Sequence, residues 1–428
     1  MQFKDKDIPL PEIAKMLGVN TILEGSYRQS GDKLRVTAQL IDAETDNHLW
    51  SENYDRPMQD ILMVQSDIAR NIATVFKLNL TNQEAARINH KPTDNIRAYS
   101  LEKKAVHLLF NTLDFDQAIE VMKEALEIDS GFPDAYAGIA AAYLMKGSWL
   151  GTMNIQEAAH MAEPYLKKAL ELDPENLLAM NVRAHVYYWN EWDFIAADQQ
   201  FLEVLAIDPG FIHSLNAYTQ LLAHMGLYEE ALEWALKAKE IDPLTIWTYW
   251  NLAWAYMRLE ERNKALTIFR EGSDLFPGAN VIYVYLGDYY RVEREYSKAI
   301  DYYKQFLDWR EGMGQAPTPW VLARLGIACY HHGEKNKADA IRSQIRYMTE
   351  QKGGGSPEFF LAYYYSGIEE KEKAFEWLKK AYLKHNLEMI NLKDFVFKVL
   401  HDDPRYWDLY EKVGFKAFDE YMASKQEN

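Results

Sequence analysis

The stretch LNAYTQLLAHMGLYEEALEWALKAKEIDP, residues 215–243, decides the fold because it holds one complete helix–turn–helix unit. Apolar residues recur three or four positions apart on both sides of Gly226, which is the spacing of an amphipathic helix. Gly226 supplies the positive φ that ends the first helix, and Pro243 cannot continue the second. The stretch therefore predicts two short helices joined by a tight turn, the first running from about Leu215 to Met225.

The end of this unit returns along the chain at intervals of about 34 residues. It reads ALELDP at Ala169–Pro174, LAIDP at Leu205–Pro209, AKEIDP at Ala238–Pro243 and LFP at Leu275–Pro277. A fixed period of this size is typical of an array in which one small unit is stacked many times. Such arrays form long curved surfaces that hold partners, and they rarely build a catalytic pocket.

Small and aromatic residues occupy regular positions in each unit. In the unit quoted above they are Tyr228, Ala231, Ala235 and Ala238, and the following unit carries Tyr249, Leu252, Ala253, Tyr256, Ala265, Phe269 and Pro277. This spacing closely resembles the tetratricopeptide repeat (TPR), most specifically over 135–277, and about eight units fit between Arg97 and Asn386. The resemblance implies a mainly α fold: a right-handed TPR-type α-α superhelix, preceded by a small, incomplete α/β domain.

Residues 1–80 follow a different pattern. PEIAKMLG predicts a short helix closed by Gly18, and two β-type runs flank the turn-rich RQSGD, which is a hairpin signal. HLWSENY predicts a third strand. A helix follows, with one apolar stripe made of Ile61, Val64, Ile68, Ile72, Val75 and Phe76.

The residues LGVNTILEGSYRQSGDKLRVTAQLIDAETDNHLWSENYDR and DILMVQSDIARNIA resemble the TolB N-terminal-like (FlgO-like) module that precedes TPR arrays in bacterial signalling proteins. HDDPRYWDLYEKVGF, residues 401–415, resembles the closing segment of those proteins. In that group the modules are attached to an adenylate or guanylate cyclase, a protein kinase or a CadC-like winged-helix DNA-binding domain. The resemblance implies that such a catalytic or DNA-binding domain lies upstream of Met1 in a longer parent protein.

These patterns predict five regions: 1–80, the TolB N-terminal-like module; 81–96, a linker; 97–352, the TPR superhelix; 353–357, a Gly-rich joint; and 358–428, the last TPR-like unit with C-terminal helices. The joint contains Gly353–Gly355, which are flexible enough for the last unit to be partly independent.

The formal net charge of −17 argues against nucleic acid or anionic lipid as the main partner, since both favour a basic surface. No apolar run is long enough to span a membrane, and the first residues do not form a secretory signal. We expect a cytoplasmic protein if the chain is complete. A fragment of a membrane-anchored protein could instead be extracytoplasmic.

Signatures of catalysis and metal binding are missing. GMGQAP, residues 312–317, lacks the Lys-Ser/Thr ending of a phosphate loop, and neither a G-x-S-x-G nor an H-E-x-x-H motif occurs. His213 and His224 share a helix face but are too far apart for one metal, and Cys329 is the only cysteine. We predict no catalytic residue, no cofactor, no metal and no enzymatic activity in this chain.

One constellation predicts a binding site. Trp247, Trp250 and Trp254 lie on one helix face, opposite the packing face of Tyr249 and Leu252. By resemblance to TPR proteins this face lines the concave groove, where aromatic residues ringed by polar groups anchor a peptide or a partner helix. The remaining candidate groove residues are Trp189, His213, Asn216, Gln220, His224, Arg258, Asp288 and Arg291. In the alternative interpretation the tryptophans only fill the inside of a tight superhelix.

Three functional hypotheses remain open. The first is a non-catalytic scaffold or sensor region of a bacterial signalling protein that holds a protein or peptide in the groove. The second is the regulatory C-terminal part of a nucleotide cyclase or protein kinase. In the third, the small domain is a ligand sensor and the array is a spacer.

Overall fold

The computed structural model describes residues 8–57, 60–148, 153–278, 280–351 and 355–426. Gly353 and Gly354 of the predicted joint lie outside the described residues. The chain divides into two compact units: one reaches Lys104 and includes Lys123–Phe132, and the other comprises Ala105–Met122 and the chain from Pro133 onward.

The first unit contains an antiparallel sheet whose strands follow chain order: β1 (Thr21–Ser30), β2 (Lys33–Asp42) and β3 (His48–Pro57). Ser30 pairs with Lys33, so the turn consists of two residues, and Gly31 has the positive φ of 61° that such a turn requires. On β2, Leu34, Ala38 and Leu40 are buried, so one face of the strand packs into a core. The predicted hairpin and third strand are confirmed.

The helices of this unit are α1 (Leu10–Leu17), α2 (Ile61–Val75) and α3 (Asn82–Asn89). Gly18 ends α1 with a φ of 67°, as expected. The apolar stripe of α2 is shorter than predicted: Phe76 follows the helix and is 45% exposed. The stretch predicted as a linker contains α3, which a capping box between Thr81 and Glu84 starts.

The repeat region consists of eight successive helix pairs among the described residues, and only α4 and α5 extend into the first unit. Their bounds are α4 (Ile96–His107), α5 (Phe115–Ile128), α6 (Pro133–Ser148), α7 (Ile155–Leu172), α8 (Leu177–His185), α9 (Phe194–Ile207), α10 (Ile212–His224), α11 (Tyr228–Ile241), α12 (Ile246–Arg258), α13 (Arg262–Leu275), α14 (Ile282–Val292), α15 (Tyr296–Gly312), α16 (Pro319–His332), α17 (Lys335–Met348), α18 (Pro357–Gly367) and α19 (Lys371–Leu383).

From α6 onward each pair packs as a hairpin, and each hairpin packs on the next. The first helices of neighbouring hairpins also contact one another, so α6, α8, α10, α12, α14, α16 and α18 together form one face of the array. The fold is mainly α and a TPR-type superhelix, as the period predicts.

Small residues allow the two helices of a hairpin to approach closely. Ala231, Ala235 and Ala238 on α11 are fully buried. At Gly287 on α14 a Cβ atom would lie 2.5 Å from the ring of Tyr303, so a glycine is required there. These contacts are the physical basis of the small-residue positions in the repeat.

Two first helices end in a π-helical turn rather than in regular α-helix. These turns span Leu108–Thr112 after α4 and Val186–Glu191 after α8. A π turn holds one extra residue, which shifts the following side chains around the helix axis. The second turn sets the position of Trp189.

After α19 the chain forms two 3₁₀ helices, Leu387–Asn391 and Phe395–Leu400, and then α20 (Pro404–Lys412) and α21 (Phe415–Gln426). Asp403 caps α20 by accepting a hydrogen bond from the backbone N–H of Arg405. Residues 385–400, which we call the C-terminal segment, contact side chains on the first-helix face of the array.

Candidate functional site

Helix α12 carries the predicted tryptophan face. The rings of Trp247 and Trp250 meet edge to face at 5.7 Å, and those of Trp250 and Trp254 stack at 6.1 Å. All three side chains are partly exposed, whereas Tyr249 and Leu252 on the opposite side are buried. Residues three and four apart therefore share a face, as the spacing predicts.

A cavity of about 340 Å³ opens beside Trp247, within the second unit. Its wall is built mostly from the first helices of four hairpins, α6, α8, α10 and α12. Five of the predicted site residues line it: Trp189, His213, Asn216, Gln220 and Trp247. The structure thus brings together five of the eleven predicted site residues.

Asparagines at matching positions of α8, α10 and α12 form a ladder along the cavity side of the array. Asn181 accepts a hydrogen bond from the hydroxyl of Ser214 at 2.8 Å, and Asn251 donates to the amide oxygen of Asn216 at 3.0 Å. Thr248 also donates to Asn216. Asn181 and Asn216 are only 6% and 8% exposed and both line the cavity, so their amide groups are fixed in place.

Two histidines add aromatic surface to the cavity wall. The ring of His213 stacks on Phe110 at 4.7 Å, and the ring of His185 meets Trp189 edge to face at 4.2 Å. Burial lowers the pKa of His185 to about 4 and also lowers the pKa of His213. Both rings are therefore neutral near pH 7.

Four other predicted site residues pack against side chains of this protein: His224, Arg258, Asp288 and Arg291. Arg258 on α12 forms an ion pair with Asp394 of the C-terminal segment at 2.9 Å, and each side chain is 11% exposed. The guanidinium of Arg258 lies over the rings of Trp254 and Phe395 at 5.4 and 5.8 Å. Trp254 in turn meets His224.

His224 lies among buried partners. It contacts the hydroxyl of Tyr188 and hydrogen-bonds the side chain of Asn391. Burial, together with the nearby cation Arg258, lowers the pKa of His224 to about 3. His224 is therefore a neutral packing residue next to the C-terminal segment.

Asp288 and Arg291 on α14 belong to a buried polar network. Asp288 accepts hydrogen bonds from Tyr303 at 2.7 Å, Arg324 at 3.0 Å and Arg291 at 3.2 Å, and Arg291 also donates to Tyr363 at 3.2 Å. Burial opposes ionisation of Asp288, but Arg324 and Arg291 outweigh it and lower its pKa. The predicted groove is thus filled by the protein's own residues at this end, whereas a cavity opens beside Trp247.

Several cavity residues were not predicted from the sequence, among them Phe110, Asn181, His185 and Phe276. A usable signal existed for Asn181, because Asn181, Asn216 and Asn251 are separated by about one repeat period. Phe110 and His185 lie in or just before the π-helical turns, where regular helical counting fails.

Within the described ranges, no group of three or more His, Cys, Asp or Glu side chains is arranged to hold a metal ion. Among the same residues, no helix has both the length and the apolar character needed to cross a membrane.

Residues 251–316 match the tetratricopeptide repeat family model. Over 167 residues the chain is 32% identical to "Putative adenylate cyclase 3" of Rhizobium meliloti (strain 1021), a match that covers 38% of this chain and 28% of that protein. The chain therefore spans less than a third of the length of this relative.

The chain is also 28% identical over 191 residues to the type IV pilus assembly protein PilF of Pseudomonas aeruginosa, which covers 44% of this chain and 70% of PilF. Among solved structures it is similar to the human IFIT1 dimer with PPP-AAAA, at 16% identity and a TM-score of 0.50, over 84% of this chain and 78% of that one. This last similarity concerns the fold alone. The repeat match, the relationship to PilF and the stacked helical hairpins together support a tetratricopeptide repeat protein.

Proposed function

We propose that this chain is a non-catalytic scaffold that holds a segment of a protein or peptide on the first-helix face of its repeats. The segment binds in the cavity beside Trp247. As in the resembling bacterial signalling proteins, the scaffold acts as a sensor region that reports the bound partner to a domain elsewhere in the parent protein.

The observation that carries this proposal is the cavity itself. It collects rings from Phe110, Trp189 and Trp247 and fixed amides from Asn181 and Asn216 in one place. Aromatic anchors in a desolvated pocket with a few placed polar groups are the usual source of affinity in polypeptide recognition. The half of the tryptophan face near Arg258 is less suited to this role, since the C-terminal segment contacts it.

Affinity selection with a displayed library of random dodecapeptides on the full chain tests the proposal. The selected peptides should lose about 2 kcal/mol of binding free energy in Trp247→Ala, because the ring lines the cavity. Trp309→Ala is the matched control, since Trp309 is 37% exposed on α15 and does not line the cavity. Calorimetry measures both.

Two results would count against the scaffold. One is a selection without enriched sequences. The other is a set of peptides that bind wild type and Trp247→Ala with equal affinity, which would place the binding surface elsewhere.

A second candidate function is favoured by the similarity to a protein named as an adenylate cyclase. In this view the chain is the regulatory part of a nucleotide cyclase or kinase. The complete reading frame of the parent gene tests it: an in-frame cyclase or kinase domain upstream of Met1 supports it, and an in-frame stop codon there contradicts it.

A further inference from the structure

The cavity wall carries no formal charge. Among the described residues that line it there is no Asp, Glu, Lys or Arg, although the chain as a whole has a net charge of −17. Among the described lining residues, His185 and His213 carry the side chains that could gain a charge, and burial lowers the pKa of both so that they are neutral near pH 7. A charged group entering this cavity would lose its water without meeting a counter-charge, which is strongly unfavourable.

The cavity nevertheless presents unused hydrogen-bonding capacity. Within the described part of the chain, the amide nitrogen of Asn181 donates to no protein acceptor, although this residue is only 6% exposed and its side-chain oxygen already accepts from Ser214. Gln220 uses its amide nitrogen toward Asn251, which leaves its oxygen as an acceptor. Because Asn181 and Gln220 both line the cavity, this amide nitrogen and this amide oxygen can bond an uncharged polar group of a ligand there.

The size and the rings of the cavity match a flat apolar body. Its volume of about 340 Å³ is at the small end of ligand pockets. The rings of Phe110, Trp189, Trp247 and Phe276 are among the side chains that line it. Offset or edge-to-face contacts with such rings favour an aromatic side chain over an aliphatic one of the same size.

We infer that the cavity binds an uncharged aromatic side chain of the partner polypeptide, hydrogen-bonded through its adjoining amide by Asn181 and Gln220, and that it rejects charged anchors. This inference rests on the proposed scaffold function and adds the chemistry of the anchoring residue.

The test compares two probes of equal size that differ in charge: N-acetyl-4-fluorophenylalaninamide and the carboxylate N-acetyl-4-fluorophenylalanine. Binding to the full chain is followed by ¹⁹F NMR titration at pH 7.5. The amide should bind with a dissociation constant of about 0.1–1 mM, as expected for a ligand of its size. The carboxylate should bind at least about tenfold more weakly, because the cavity offers it no cation.

Two variants locate the probe. Ala217→Phe places a ring into the cavity from α10, and Trp247→Ala removes part of the wall. Each should weaken amide binding at least about tenfold, and Trp309→Ala should leave it unchanged. Circular dichroism checks folding, and Trp247→Ala still decides the question if Ala217→Phe fails to fold, because Trp247 is partly exposed.

Equal binding of the two probes, no binding of the amide, or binding that both cavity variants leave intact would overturn the inference. The two proposals fail separately. Selected peptides that depend on Trp247 but insert a charged anchor would refute this inference and leave the scaffold standing. Amide binding in the cavity without any selectable peptide would refute the scaffold.

Discussion

Among the single residues of the second unit, Glu388 has an unusual pKa. It lies in the C-terminal segment, where burial raises its pKa to about 7 and the cation Arg324 only partly offsets the effect. Tyr188 and Tyr285 lie near its carboxylate, and Asn391 donates a hydrogen bond to it at 2.8 Å. The folded protein therefore binds a proton at Glu388 more tightly than the unfolded chain does.

This raised pKa predicts a pH-dependent stability difference. Because the folded pKa lies above the reference value of 4.5, the contribution of Glu388 to stability is present at low pH and is lost as pH rises toward 7. The free energy of unfolding of Glu388→Gln should thus be about 2–3 kcal/mol higher than that of wild type at pH 8, and this difference should disappear near pH 4.5. Urea unfolding across this range measures it.

The buried histidines do not disturb this comparison. Burial lowers the pKa values of His185, His213 and His224, so their contributions to the free energy of unfolding increase with pH. We expect the same increase in wild type and in Glu388→Gln. Glu350→Gln, at an exposed position, is the control and should show no such trend. A Glu388→Gln difference that is constant from pH 4.5 to 8 would refute the assignment.

Among the helical elements, the turns of seven hairpins share one backbone feature. A residue with positive φ follows the first helix in seven of the described hairpins: Leu113, Trp192, Gly226, Glu260, Arg294, Gly333 and Glu369. Only two of these are glycines, so most hairpins hold an L-residue in a conformation that costs about 1 kcal/mol. The array as a whole compensates for this local strain.

Substitutions at this turn position should therefore have opposite signs. Gly333→Ala should destabilise by about 1–2 kcal/mol, because φ is 94° there and no atom outside the turn would contact the new Cβ. Glu260→Gly, at an exposed position with φ of 60°, should stabilise by up to about 1 kcal/mol. Chemical unfolding measures both changes in the free energy of unfolding. If both variants change it in the same direction, the backbone angle is not the controlling factor.

The elements were largely predictable from the sequence because their signals are local. Gly226, Pro243 and the alanines of α11 determine one hairpin within a single window, and the period repeats it. The ends of the site were not predictable in this way. Arg258 and Asp394 are 136 positions apart, so no local pattern shows that the C-terminal segment would contact the tryptophan face. Trp189 depends on a π-helical turn that the 3.6-residue period does not reveal.

Across the whole array, the C-terminal segment contacts three successive hairpins, those that begin with α10, α12 and α14, which are far from it in sequence. Lys393 donates to the backbone oxygen of Met225 at 2.7 Å, Asp394 pairs with Arg258, and Phe395 lies 5.1 Å from the guanidinium of Arg291. In a stacked array most contacts join neighbouring hairpins. We expect these contacts to increase the cooperativity of unfolding of the array.

Asp394→Ala tests this bracing role. Removing one member of a buried ion pair leaves Arg258 uncompensated, so the free energy of unfolding should fall by about 3–5 kcal/mol. Hydrogen exchange should also become faster over residues 387–400. The matched control is Asp55→Ala, which breaks the exposed pair of Arg35 and Asp55, each 63% exposed, and should cost less than about 1 kcal/mol. Equal losses in the two variants would contradict the role.

The proposed scaffold function requires that the cavity beside Trp247 receives a side chain of a partner polypeptide. A crystal structure of the full chain with the tightest selected dodecapeptide tests it most directly. We expect an uncharged aromatic ring of the peptide inside the cavity, in contact with Phe110, Trp189 and Trp247. A peptide bound elsewhere on the chain, with the cavity empty, would contradict it.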